Sequence, residues 1–165
     1  MRGYQVLALG IVLFTIDVGA VWIQEQQGHE QHGDVMSRGE RVMGFSQGKT
    51  THHFELTRDG GVIEVRGNGT NDTQTRDQVR GHFRHIVTLF SSGNFTAPML
   101  VHARDVPGTA VMSKLRNQLH WELHDTAWGA KITVTADGKP ALDAVHEFLR
   151  FQIADHKTGD CTAIR

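Results

Sequence analysis

The chain has 165 residues, a formal net charge of −1, one cysteine and eleven histidines. A near-neutral charge argues against a partner bound through its phosphates, so no nucleic acid is expected. A single cysteine excludes an intrachain disulfide and a thiolate metal cluster, and the length suits one domain with a real core.

The first residues carry one positive charge at Arg2; Val6 to Ile23 are mostly apolar, with Val18-Gly19-Ala20 near the end. This is the pattern of a secretory signal over residues 1–20, which predicts an exported protein, periplasmic or secreted. The competing reading is an uncleaved anchor, the one case in which a membrane is a partner. Asp17 counts against it, because a carboxylate at bilayer depth costs ~2.5–3.5 kcal/mol. Residues 21–49 are polar and glycine-rich with no sustained period and read as a flexible arm carrying His29 and His32.

Residues 50–165 read as the folded domain. From Thr50 the residues alternate, with His52, Phe54 and Leu56 on one face and His53, Glu55 and Thr57 on the other. Arg58-Asp59-Gly60-Gly61 turns the chain and Val62 to Arg66 returns. Thr75-Arg-Asp-Gln78 is a capping-box pattern opening a helix whose apolar stripe is Val79, Phe83, Ile86 and Phe90. Pro98 to His102 reads as a short strand, followed by a short helix around Val111, Met112 and Leu115. Leu119, Trp121 and Leu123 alternate with His120, Glu122 and His124 as a second amphipathic strand, and Ala130 to Ala136 pairs with it. Pro140 opens a last helix with Leu142, Val145, Leu149 and Ile153 as its stripe. The expected class is α+β, a single domain with an antiparallel sheet and helices on one face. The echo of His53-Phe-Glu-Leu56 in His120-Trp-Glu-Leu123 raises a ββα duplication as a reading.

The stretches Met43-Gly-Phe45, Lys49-Thr-Thr-His52-His53-Phe54, Arg76 to Ile86, Ala97-Pro-Met99 with His102, and Val145-His146 to Ile153 with Asp155-His156 and Gly159-Asp160 carry a resemblance. Together they resemble an uncharacterised family of small exported His-rich bacterial proteins. Some of its members bear an aspartate carbamoyltransferase label. This chain is too short for that enzyme's two domains and lacks a Ser-Thr-Arg-Thr phosphate-binding segment. The resemblance brings no reaction, but it gathers His52, His53, His82, His85, His102, His146 and His156 into shared motifs, leaving out His29, His32, His120 and His124.

Imidazole is the commonest protein metal ligand. His82 and His85 are three apart on a predicted helix, with Cβ atoms ~5–6 Å apart. His52 shares the inward strand face and is their best partner, whereas His53 points the other way. His146 and His156 are separated by about 15 Å of helix and cannot share one ion. Both lie on the apolar stripe of that helix, where a histidine is more often a hydrogen-bonded core residue than a ligand; His146, nearer the helix start, is the one that could join His82, and His156 is expected to tie down the C-terminal segment. The expected site is therefore His82 and His85, completed by His52, His102 or His146. Zinc is the first choice of ion, as it accepts all-histidine sites, and copper the second, given Met36 and Met43. A metal-dependent hydrolase using Glu55, Glu122 or Glu147 as base is the enzyme alternative. A non-metal envelope binding or structural module is the third reading, and a homodimer is left open. No Gly-x-Ser-x-Gly, Walker or dinucleotide pattern is present.

Overall fold

Alternation of apolar and polar side chains builds two antiparallel hairpins, β1 (Thr50–Thr57) with β2 (Gly60–Gly67) and β3 (Leu119–Asp125) with β4 (Gly129–Ala136). The computed structural model of the chain describes residues 35–165. The secretory-signal reading of residues 1–20 and the His29/His32 part of the arm lie outside the described residues. The hairpins join through β2 and β4, with Ile63 opposite Ile132, into one antiparallel sheet of order β1-β2-β4-β3.

Among the described residues there are five helices: α1 (35–43), α2 (Thr73–Ser91), α3 (Thr96–His102), α4 (Thr109–Lys114) and α5 (Lys139–His156). The class is α+β in a single domain, as expected. The ββα order occurs twice, and the halves interlock. Helix α2 follows the first hairpin but packs mainly over β3 and β4, while α5 follows the second hairpin and packs over β1, β2 and β4. Both helices cover the same face, where Leu56, Val65, Val79, Ile132, Val134, Val145 and Leu149 are essentially solvent-free. Burying one such side chain stabilises the fold by roughly 1.5–3 kcal/mol.

Several elements differ from expectation. Residues 35–43, assigned by the sequence to the arm, are helical; Arg38 Nε donates to the Val101 carbonyl at 2.9 Å and ties α1 to α3. Helix α2 is capped by Asp72, whose carboxylate accepts from the Thr75 N–H at 3.0 Å and the Thr75 hydroxyl at 2.8 Å. Thr75 is thus inside the first turn, and the box starting at Thr75 is not the cap. Residues 98–102 form helix α3, not a strand. Pro98 falls in its first turn, where no intrahelical N–H is needed. Ala97, Pro98, Val101 and His102 then share its inner side while Met99 and Leu100 are exposed, a helical rather than an alternating pattern.

The chain after α5 turns at Lys157, which is left-handed (φ 52°), and runs back along the outer edge of β1. Asp160 accepts from the Phe54 N–H at 2.9 Å, Ile164 forms a parallel bridge with Leu56, and the Arg165 N–H donates to the Leu56 carbonyl at 2.9 Å. The tail therefore satisfies polar groups that an edge strand would leave bare.

Candidate functional site

Between the sheet and the helices lies a cavity of about 80 Å³, and four elements each set a histidine in its wall. The alternation of β1 turns His52 inward beside Phe54. Helix α2 supplies His82 next to Phe83, and α3 supplies His102 from its last turn. Helix α5 supplies Phe148, Gln152 and His156, spaced i, i+4 and i+8 along one face. Val65, Ile86, Phe90 and Ile132 make up much of the rest, and Met43 of α1 stands at the same wall.

The rings are contiguous. His156 is nearly parallel to His52, with ring centres 5.3 Å apart, and meets His102 edge-on at 5.0 Å. His52 and His82 flank Phe45, at 6.2 and 5.6 Å. Burial pushes the pKa of His52 down to about 4, helped by the neighbouring His53. Burial likewise pushes His82 to about 4, with contributions from His85 and His52. Both rings are therefore neutral at physiological pH, the form in which imidazole has a lone pair to offer.

Two nitrogens on this wall, His52 Nε2 and Gln152 Nε2, are buried without a hydrogen-bond partner. Each such group costs about 1–3 kcal/mol; a ligand at His52 Nε2 would recover that cost there, whereas Gln152 Nε2 needs a hydrogen-bond acceptor. His102 is anchored instead: its Nδ1 lies 2.5 Å from Asp155 Oδ2, and its Nε2 lies 3.1 Å from Gln152 Oε1. Arg104 pairs with the other oxygen of Asp155 and lies over the Phe151 ring at 4.8 Å. Both ring nitrogens of His102 thus face oxygen acceptors, and its Nε2 becomes available to a ligand only when Gln152 turns away.

Of the residues picked out by the sequence, His52, His82 and His102 meet at this cavity. His85 does not; it is exposed on α2, one position round the helix from the cavity wall. His146 does not either. It is buried, and its Nε2–H donates to the carbonyls of Thr57 (2.9 Å) and Gly60 (3.0 Å), tying α5 to the first hairpin turn. The residue in its place is His156, expected from the sequence to tie down the C-terminal segment and found instead in the cavity wall. The i, i+4, i+8 spacing of Phe148, Gln152 and His156 is the signal that could have found it.

His53 faces the opposite side of the sheet, with Nδ1 3.1 Å from Asp160 Oδ1. His120 and His124 are exposed on that side, next to Asp137 (2.8 Å) and Glu122 (3.5 Å). Glu55 and Glu122 belong to the same outer face and Glu147 is exposed on α5, so none of the three lines the cavity. Among the described residues, no three His, Cys, Asp or Glu side chains already converge as a coordinating group. Capture of an ion would therefore require side-chain rotations within the ring cluster. Comparison of the chain with protein-family models, with curated proteins and with solved structures finds no match.

Proposed function

We propose that this is an exported protein that binds a transition-metal ion in the histidine-lined cavity. His52 would be the central ligand and His82, His102 and His156 the imidazoles from which the remaining ligands come. The observation that carries the reading is the contiguous ring set His52–His156–His102, in which His52 Nε2 is buried and unpartnered and His102 is anchored through Asp155. Neutral His52 and His82 support it further, since no proton needs to be displaced from them at pH 7. The apolar N-terminal stretch supports export.

The test is the metal content of protein purified without a His tag, after reconstitution and dialysis. One ion per chain is expected, lost or bound at least tenfold more weakly in His52→Gln with His102→Gln. The outer-face change His120→Gln with His124→Gln should have no effect. Failure to retain any ion, or retention unaffected by the first pair, overturns the reading.

A second reading follows from the apolar walls of Phe54, Phe83, Phe90, Ile132 and Phe148: a small apolar molecule with one polar atom for His52 Nε2. Thermal stabilisation by such molecules in excess chelator, without stabilisation by metals, would favour it.

A further inference from the structure

We infer that the ion suited to this cavity is monovalent copper rather than zinc, with the Met43 thioether joining His52 and one neighbouring imidazole as ligands. The inference rests on the metal reading above and goes further by naming the ion. It stands on the chemistry of the wall. Among the described residues, those lining the cavity whose side chains can donate to a metal are His52, His82, His102, His156, Gln152 and Met43, and the Gln152 amide oxygen is already engaged by His102; no carboxylate or thiolate residue lines it. Asp155 lies behind His102, and its charge is already matched by Arg104.

The wall is mainly phenylalanine, valine and isoleucine, and His52, His82 and His156 are themselves half-buried, so a divalent ion held here by neutral ligands would lose much of its hydration. The desolvation penalty of an ion grows with the square of its charge, so it falls hardest on a divalent ion with only neutral ligands. A monovalent ion escapes most of that cost. Softness points the same way, because thioethers select Cu(I) whereas structural zinc seeks thiolates, imidazoles or carboxylates. Coordination number agrees as well. Two imidazoles and a thioether suffice for Cu(I), while zinc sites take four ligands, at least three of them from the protein.

Met43 is positioned for this role by α1, which Arg38 fastens to α3 through the Val101 carbonyl. It is half-buried and packs against the core that includes Phe45, whose ring touches those of both His52 and His82. Its counterpart Met99 is exposed on the outer side of α3 and provides a control thioether.

The experiment is an anaerobic titration of the full chain with Cu(I) in competition with a chromogenic Cu(I) chelator. A parallel titration uses Zn(II) against a zinc indicator, with wild type, Met43→Leu and Met99→Leu. Exchanging methionine for leucine conserves volume, so folding should be kept, as far-UV circular dichroism will verify. The expected result is Cu(I) bound at least a hundredfold more tightly than Zn(II), weakened tenfold or more by Met43→Leu and unchanged by Met99→Leu. Equal or tighter binding of Zn(II), or Cu(I) affinity indifferent to Met43→Leu, overturns the inference and leaves the metal reading standing. No binding of either ion overturns both.

Discussion

His52 should make the metal-free protein sensitive to mild acid, and the size of the effect follows from its burial. Its pKa falls from 6.5 to about 4 on folding, so between those values the unfolded chain binds more protons than the folded one. Stability that is complete above pH 6.5 is then lost as pH falls, and the loss levels off near pH 4. A difference of that size corresponds to about 3 kcal/mol at the limit and about 2 kcal/mol at pH 5. His52→Phe removes the titrating group while keeping a ring beside Phe45, Phe54 and His156. It also removes the unpartnered Nε2, so at pH 7 the variant should be as stable as wild type or more so. Urea unfolding in excess chelator at pH 7, 6, 5 and 4 measures both curves. Wild type should lose about 2 kcal/mol more than His52→Phe between pH 7 and pH 5. Parallel curves would refute the claim that His52 is held neutral by burial.

Leu56 is fully buried on β1, and Leu56→Ala should cost about 2–5 kcal/mol in the same assay at pH 7. Asp160→Ala removes the acceptor for the Phe54 N–H and should destabilise by roughly 1–2 kcal/mol, with faster amide exchange at Phe54 and Leu56. Gly108 has φ 80°, and a Cβ there would fall 2.2 Å from the Ala144 carbonyl oxygen. Gly108→Ala should therefore lower the midpoint of thermal unfolding by more than a surface Gly→Ala change does; an unchanged midpoint would mean that α4 and α5 can move apart freely.

The sheet was legible because its strands alternate cleanly: the inward set His52, Phe54 and Leu56 and the Leu119, Trp121 and Leu123 set need only the period of two. Helix α3 was not, since in so short a stretch the period is undersampled and only tertiary contact shows that Val101 and His102 share a side. The site was half legible. The inward phase of β1 placed His52 opposite His82, and the motif containing His102 placed that residue among the candidates. His85 shows that an i, i+3 neighbour on a helix need not share a direction, for it is turned to solvent. His146 follows the commoner pattern for a histidine on an apolar helix face, claimed by two backbone carbonyls of the hairpin turn. His156 escaped because its partners come from β1 and α3, which are more than fifty residues away in the chain. Within α5 only the i, i+4, i+8 spacing of Phe148, Gln152 and His156 points to its side of the helix.

The most direct test of the metal site is a crystal of the full chain grown with the bound ion and measured at that ion's absorption edge. One anomalous peak is expected in the cavity, within bonding distance of His52 Nε2 and at least one further imidazole of His82, His102 or His156. A peak on the outer face at His120 and His124, or at the exposed His85, would contradict it.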